Sequence, residues 1–239
     1  MSLGLEWQKI KRTGVLWTFL GGGILAAVVP VINLAARSEM YLRLQDSPVD
    51  ILFKGNWQLM ALLNILLLVL GACVLYHIEY ADNGQLKMCS LPIKESTLFF
   101  SKLGLMTGLC LVSLSLEALG MAFCLSHWFN LSQSLCLELL KYFAYAFLLL
   151  LPGGMLALIL SAFCKNLWVS LGCGVIGVCA AILIPTDNFI LNLFPFALPF
   201  QVLTLNTEQA VCYLLASLGE VAFMALMFLG LLKIRRTLA

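Results

Sequence analysis

Six long apolar segments, almost free of charged side chains, restrict the fold of this chain more than any other feature. A helix needs about 20 residues, each rising about 1.5 Å, to cross a hydrocarbon core of about 30 Å. Every segment is close to that length. The sequence therefore predicts an all-α polytopic membrane protein with six transmembrane helices in a single domain, residues 1–239. The segments cover about residues 16–36, 57–78, 98 or 103 to 125, 139–163, 168–185 and 210–232.

The composition excludes most other classes of protein. Hydrophobic residues make up 62% of the chain and charged residues 11%, against about 45–50% and 25% in soluble domains. A soluble globule is therefore excluded, and so is a disordered chain, because ample apolar surface is available to bury. A net charge of only +2, without a large basic cluster, argues against a nucleic-acid-binding protein.

The distribution of lysine and arginine predicts the orientation in the membrane, because cytoplasmic flanks carry the excess of these residues. Ten of them fall on one side of the predicted spans and four on the other. Both termini are therefore expected in the cytoplasm. The ten are Lys9, Lys11, Arg12, Lys87, Lys94, Lys102, Lys165, Lys233, Arg235 and Arg236; the four are Arg37, Arg43, Lys54 and Lys141.

Residues 2–13, before the first span, mix apolar and charged side chains. Trp7 and Ile10 lie three residues apart, which favours a helix over the alternative, a disordered basic tail. Such a helix would lie in the inner membrane interface with its apolar side towards the acyl chains. Its charged and aromatic residues are Glu6, Trp7, Lys9 and Arg12.

The longest cytoplasmic loop covers residues 79–102. Asp82 or Asn83 can cap a short helix that Pro92 ends, and Ser96 can cap the helix that enters the third span. This loop is the only predicted cytoplasmic element large enough to dock a partner.

Two segments are predicted on the outer side. Residues 37–55 are expected to form a short polar helix or loop without chemistry of its own. Residues 186–209 contain an apolar run broken by Pro195 and Pro199, which is too short and too rich in proline to span. A re-entrant segment between the fifth and sixth helices fits this run, since irregular backbone at membrane depth must be covered by protein or water.

Two carboxylic acids, Glu117 and Glu220, lie within apolar spans. An acid at the centre of a membrane costs about 2.5–3.5 kcal/mol on insertion scales. Two interpretations stay open for each. The acid pairs with nearby serines (Ser113 or Ser115, and Ser217), or it takes part in transport.

No catalytic or metal-binding motif is apparent. The nine cysteines include no CxxC pair and there are only two histidines, whereas a zinc site needs convergent Cys or His ligands. Residues 172–177 (GCGVIG) match a dinucleotide-binding pattern, but they lie inside an apolar span rather than after a strand. The small-residue steps Ser170–Gly174, Cys173–Gly177 and Gly104–Gly108 are instead typical of closely packed membrane helices. We expect neither enzyme activity nor a metal or cofactor bound by this chain.

Several motifs resemble those of a known family. An acid ends the second span (Glu79), a glycine follows (Gly84), and then come the run 90–94 (SLPIK) and Lys102 at the entrance to the third span. Together with the charged N-terminal stretch and the proline-broken outer segment, this pattern is similar to that of the ABC type-two permeases. The chain most resembles the small permease subunits of lantibiotic-immunity exporters.

The resemblance implies a permease subunit of an ATP-driven exporter in the bacterial cytoplasmic membrane. Such a subunit pairs with a second permease, identical or homologous, and with cytosolic ATPase subunits that bind ATP and Mg. Residues 2–13 would be the elbow helix, and loop 79–102 would carry the coupling helix. The cargo would be an amphipathic cationic peptide such as a lantibiotic, taken from the membrane. The expected ATPase-coupling residues are Glu79, Asp82, Asn83, Gly84, Gln85, Lys87 and Pro92.

Two other functions are alternatives to the permease. A six-span capture subunit for a vitamin-like small molecule, part of an importer, would have a polar pocket near the outer ends of the helices. The outer ends of this chain are mainly apolar. An intramembrane enzyme would need an HExxH motif or a histidine at membrane depth near a serine, and the sequence provides neither.

Overall fold

The computed structural model describes residues 13–80, 95–129, 132–164, 166–184, 189–203 and 207–238. These residues form seven α-helices and one short 3-10 helix, and they contain no strand. The α-helices are α1 (Val15–Leu42), α2 (Pro48–Tyr80), α3 (Glu95–Trp128), α4 (Gln133–Phe163), α5 (Leu167–Ile182), α6 (Phe189–Asn192) and α7 (Thr207–Leu238), and the 3-10 helix covers Leu198–Phe200.

Five of the helices, α1, α2, α3, α4 and α7, are long and apolar enough to cross a membrane. Helix α5 is apolar but has only 16 residues, which corresponds to about 24 Å. The predicted all-helical polytopic architecture is confirmed. The sixth crossing, which α5 would have to provide, stays a prediction.

The long helices run alternately up and down. One end of the bundle, here named the Tyr80 end, holds the last turns of α2 and α4 and the first turns of α3 and α5; the opposite end is named the Pro48 end. Side-chain contacts fix this arrangement: Tyr80 reaches the backbone of Ala162, and Ser161 contacts Ser170. The start of α1 and the end of α7 both lie at the Tyr80 end.

Helices α2 and α4 occupy the centre. In each of them, 61% of the most apolar stretch is buried, against 17% in α7. Helix α1 packs on α2 and α3, α5 packs on α2 and α4, and α7 packs mainly on α4. The 3-10 helix lies against α2 and α4 at the Pro48 end.

Small residues allow the closest helix contacts, as the sequence pattern indicates. A Cβ atom at Gly174 would lie 2.4 Å from Val69 of α2, and one at Gly120 would lie 2.6 Å from the backbone oxygen of Ala27 in α1. A Cβ atom at Gly108 would meet nothing within 4 Å. The predicted step at residues 170–174 therefore lies at a helix contact, whereas Gly108 does not.

The structure differs from the sequence prediction for residues 37–55. Helix α1 is kinked at Arg37, whose backbone is not helical (φ −136°, ψ 32°), and the short helical stretch after the kink ends at Leu42, as a short helix in this segment would. The difference is that α2 already begins at Pro48. Proline suits a first helical position because it lacks the N–H that would be unpaired there. The first turns of α2 bury Ile51 and Phe53 together with Asp50, so packing extends this helix beyond its most apolar stretch. Ser96 likewise lies inside α3, which begins at Glu95, and not at its N-cap.

Candidate functional site

A buried ion pair at the Tyr80 end joins the two helices that flank the predicted coupling loop. The ammonium group of Lys102, in the second turn of α3, contacts the carboxylate of Glu79, near the end of α2. The Lys102 side chain is 1% exposed and that of Glu79 is 12% exposed. Lys102 Nζ also lies 5.1 Å from the centre of the Tyr76 ring, a favourable position for a cation. A charge this deeply buried is tolerated because it is paired.

The last turn of α2 is also tied to α4. The Tyr80 hydroxyl donates a hydrogen bond of 2.6 Å to the carbonyl oxygen of Ala162, and the Tyr76 and Tyr80 rings stack. Glu79 and Tyr80 therefore fix the end of α2 to α3 and to α4. The side chains of these residues thus attach both ends of the loop, at Glu79 and at Lys102, to the helix bundle.

Of the predicted coupling residues, only Glu79 belongs to the described part of the chain. The other six, Asp82, Asn83, Gly84, Gln85, Lys87 and Pro92, lie outside the described residues, as do Glu6, Trp7, Lys9 and Arg12 of the predicted elbow helix. The sequence singled out Glu79 but did not indicate its pairing with Lys102. The basic residue in the family pattern could have suggested it.

A second polar cluster lies in the middle of the bundle and contains the first intramembrane acid. Asn64 of α2 donates to Glu117 of α3 through a 3.0 Å bond from Nδ2 to Oε2. Ser113 Oγ lies 3.2 Å from Asn64 Oδ1 and 3.5 Å from Glu117 Oε1. Glu117 is 0% exposed. Ser115 turns away and donates to the backbone of its own helix.

Helix α1 closes over this cluster. A Cβ atom at Gly23 would lie 3.0 Å from both Cα and Oγ of Ser113. The small residue lets α1 approach close to the Ser113–Asn64–Glu117 cluster. The polar contacts thus join α2 and α3 beneath α1. Asn64 donates to one carboxylate oxygen of Glu117, and the single Ser113 hydroxyl hydrogen is shared between Asn64 Oδ1 and the other carboxylate oxygen.

The second intramembrane acid, Glu220 of α7, is in a different position. Its Oε2 atom is buried and has no hydrogen-bond partner among the described residues. Ser217, the expected partner, donates instead to the carbonyl oxygen of Leu214. The two acids that looked equivalent in the sequence are therefore not equivalent in the structure.

The Pro48 end carries a third group of polar contacts, which the sequence did not indicate. The Tyr142 hydroxyl donates to the buried carboxylate of Asp50. Asn33 Nδ2 lies 2.7 Å from the Tyr41 hydroxyl and 2.8 Å from Asn56 Oδ1. Asparagines within apolar segments are a usable signal for such contacts, since a buried amide requires partners.

The described part of the predicted re-entrant segment, residues 189–203, packs into the same end. Trp57 Nε1 donates a 2.9 Å hydrogen bond to the carbonyl oxygen of Pro199. The buried ring of Phe196 lies between α4 and α5, at a point where each of these helices has a glycine. A Cβ atom would lie 2.8 Å from this ring at Gly177 of α5 and 3.5 Å from it at Gly153 of α4. These contacts hold the segment against α2, α4 and α5.

Among the described residues, no group of three His, Cys, Asp or Glu side chains is arranged to hold a metal ion. The polar groups that do come together lie at helix contacts: an ion pair at one end, a hydrogen-bonded acid in the middle and an amide cluster at the other end. Such an arrangement couples helices to one another and to the segments between them.

Comparison with known protein families identifies the chain at family level. Residues 2–181 match the family described as ABC-2 family transporter protein. Comparisons with curated proteins and with solved structures gave no match. Members of this family are the multi-pass membrane subunits of ABC transporters, and the bundle of apolar helices described above is consistent with that role. The match covers well over half of the chain, which therefore belongs to the ABC-2 family of transporter permeases.

Proposed function

We propose that this chain is the permease subunit of an ATP-driven exporter that removes an amphipathic cationic peptide, such as a lantibiotic, from the bacterial cytoplasmic membrane. It would act with a second permease, identical or homologous, and with cytosolic ATPase subunits that bind ATP and Mg. The observation that carries the transporter assignment is the family match over residues 2–181. The cargo is inferred from the resemblance to lantibiotic-immunity permeases.

The attachment of the loop at residues 79–102 supports a coupling role for it. In this proposal, Glu79, Asp82, Asn83, Gly84, Gln85, Lys87 and Pro92 form or adjoin the contact with the ATPase. A displacement of the loop would move α2 and α3 together, because the Glu79–Lys102 pair joins them at the loop boundaries. The Tyr80–Ala162 bond would carry the same displacement to α4. Rigid-body movement of this kind is a common way to transmit a conformational change.

The proposed topology has six crossings with both termini in the cytoplasm. Helix α5 would provide the fifth crossing, and residues 186–209 would form a re-entrant segment that completes it on the outer side. The Tyr80 end would face the cytoplasm. The distribution of ten Lys and Arg residues against four supports this orientation. The N-terminal stretch with Glu6, Trp7, Lys9 and Arg12 would lie along the same inner interface.

The first experiment is purification of the tagged chain from its native host in mild detergent, with identification of partners and an assay of ATP hydrolysis. We expect a cytosolic ABC ATPase to co-purify and to be lost in the Asp82→Lys variant. Glu39→Lys is the matched control, because Glu39 is an exposed acid at the Pro48 end. A second permease in the sample would distinguish a heteromer from a homomer.

Cargo is tested separately by growth of a peptide-sensitive bacterium that expresses the chain with its ATPase. Resistance to a purified lantibiotic is expected with the wild-type chain and not with Asp82→Lys. If the chain purifies alone and without ATPase activity, the proposed role as an ATPase-coupled exporter subunit is wrong and a capture subunit becomes the better explanation. If an ATPase co-purifies but resistance does not appear, the cargo assignment alone is wrong.

A further inference from the structure

The contact between α4 and α7 is here named the α4–α7 seam. Buried polar atoms on both helices have no hydrogen-bond partner among the described residues. The two helices run in the same direction, from the Pro48 end to the Tyr80 end. Phe163 of α4 contacts Phe228 of α7 with ring centres 6.4 Å apart. Tyr213 of α7 packs against the cluster that contains Tyr145 of α4. These contacts set the register of one helix against the other.

The register places Glu220 beside a break in the hydrogen bonding of α4. Residues seven positions apart return to the same face of a helix. Glu220 follows Tyr213 by seven residues, and Pro152 follows Tyr145 by seven. Because the helices are parallel and Tyr213 packs on the cluster that contains Tyr145, Pro152 lies within about one turn of the level of Glu220 in the seam. Proline has no N–H, so the carbonyl oxygen of Leu148 lacks its usual helical donor.

The seam therefore contains buried polar groups that have no hydrogen-bond partner among the described residues. Glu220 Oε2 and the hydroxyl of Tyr145 are both buried and have no hydrogen-bond partner within the described residues. Tyr145 is 5% exposed. Buried polar groups in folded proteins are usually paired, and each exception calls for an explanation.

Glu117 provides the internal comparison. It lies in the same membrane-spanning bundle, and Asn64 and Ser113 supply partners for its carboxylate. No Lys or Arg of the described residues forms an ion pair with Glu220; the Lys102 ammonium is paired with Glu79, and Lys141 of α4 is exposed near the Pro48 end. An intramembrane acid without an internal partner indicates a functional site.

We propose that Glu220 in the α4–α7 seam binds a cationic group of the transported molecule, a primary ammonium or a guanidinium. Such a group supplies several N–H donors and a compensating positive charge. The seam offers it the Glu220 carboxylate, and the Tyr145 hydroxyl lies about two turns away along the helices. Helix α7 is the least buried of the long helices, so this site borders the surface from which an amphipathic molecule in the membrane would enter. This inference rests on the proposed function and names the chemistry by which that function would select its cargo.

The test measures peptide binding to the full chain, with its co-purified ATPase, in nanodiscs of phosphatidylcholine. The probe is a labelled 14-residue amphipathic peptide of leucine and lysine, compared with a counterpart in which every lysine is glutamine. Binding is read by fluorescence anisotropy, with empty discs subtracted. We expect the wild type to bind the lysine peptide about tenfold or more tightly than its counterpart, and Glu220→Gln to lose that preference.

Glu208→Gln is the matched control, since Glu208 is an exposed acid in the first turn of the same helix. It should keep the preference for the lysine peptide. The thermal midpoint of Glu220→Gln should not fall below that of the wild type, because the substitution removes an unpaired carboxylate. A fall would mean that Glu220 is structural and would overturn the inference.

An unchanged preference in Glu220→Gln would also overturn the inference and leave the proposed function intact. Failure of the wild type to bind either peptide above the empty discs would overturn both the inference and the cargo class. Co-purification of the ATPase still decides the permease assignment in that case.

Discussion

Lys102 is the most deeply buried basic side chain among the described residues, and its charge is balanced by Glu79. Removing one partner of a buried pair leaves the other charge uncompensated, which costs about 3–5 kcal/mol in fully buried cases. Because Lys102 is less exposed than Glu79, loss of its acidic partner is expected to cost more than loss of the lysine. The two partners are therefore expected to respond differently to substitution.

We predict that Glu79→Gln lowers the thermal midpoint of the purified protein more than Lys102→Met does. Both variants should also reduce ATP-dependent activity. The charge-exchanged double variant, Glu79→Lys with Lys102→Glu, should recover part of the stability that each single change loses. Equal midpoints for the wild type and both single variants would show that the pair does not stabilise the bundle.

Glu117 allows a second prediction at the scale of one side chain. A glutamine at this position can still accept the bond from Asn64, whereas a leucine leaves the Asn64 amide nitrogen without this acceptor, although Ser113 can still donate to Asn64 Oδ1. Each buried polar group left unpaired costs about 1–3 kcal/mol. Glu117→Leu should therefore be clearly destabilised in a thermal unfolding measurement, and Glu117→Gln should be close to the wild type. Loss of transport in a stable Glu117→Gln variant would instead assign this acid to transport.

At the scale of elements, glycines determine how closely the apolar helices and the segment at residues 189–203 approach one another. The segment contributes Phe196, whose ring lies between Gly153 and Gly177. A methyl group at Gly177 would compete with the ring for the same space, and one at Gly153 would lie 3.0 Å from the backbone oxygen of Pro195 in the segment. The position of the segment thus depends on the absence of two β-carbons.

We predict that Gly177→Ala displaces Phe196 and destabilises the protein by about 1–3 kcal/mol, the usual cost of overpacking. The new methyl group would lie 2.8 Å from the ring. Gly172→Ala, in the same helix, meets nothing within 4 Å and should be neutral. Adding Phe196→Leu to Gly177→Ala should restore stability. Identical unfolding midpoints for Gly177→Ala and Gly172→Ala would contradict this account of the contact.

The contact between α1 and α3 gives an independent prediction of the same kind. Gly120→Ala would place a methyl group 2.6 Å from the backbone oxygen of Ala27, and a backbone atom cannot move as a side chain does. Helix α1 would have to shift, so the variant should unfold at a lower temperature than Gly108→Ala, which has open space. A ranking in the opposite order would show that α1 and α3 are less closely packed than described.

At the scale of the whole molecule, the alternation of the long helices places the start of α1 and the end of α7 at one end of the bundle. With α5 as a sixth crossing, both termini share one side of the membrane. We predict that a green fluorescent protein fused after residue 239, which fluoresces only in the cytoplasm, will be fluorescent. Alkaline phosphatase, which is active only outside, should be active when fused after residue 44. Activity of the phosphatase at the C-terminus would contradict the six-crossing topology.

The helical, multi-pass character of the chain could be predicted from the sequence, because the length and apolarity of a segment are local properties. The ends of the helices could be predicted less well from the sequence. Helix α2 begins nine residues before the apolar segment predicted at residue 57, because Ile51 and Phe53 continue its packed face. The acids Glu117 and Glu220 were found in the sequence for the same local reason, as charges within apolar runs.

Only the tertiary structure decided which polar groups meet. Glu79 and Lys102 are 23 residues apart, and Asn64 and Glu117 are 53 apart. Such pairs depend on the rotation and register of whole helices. These helices are apolar on every side, so their sequences carry little information about which face turns inward. Packing at small residues such as Gly23 and Gly174 fixes that rotation for α1 and α5. Among the described residues, the resulting bundle gives Glu117 partners and leaves Glu220 Oε2 without one.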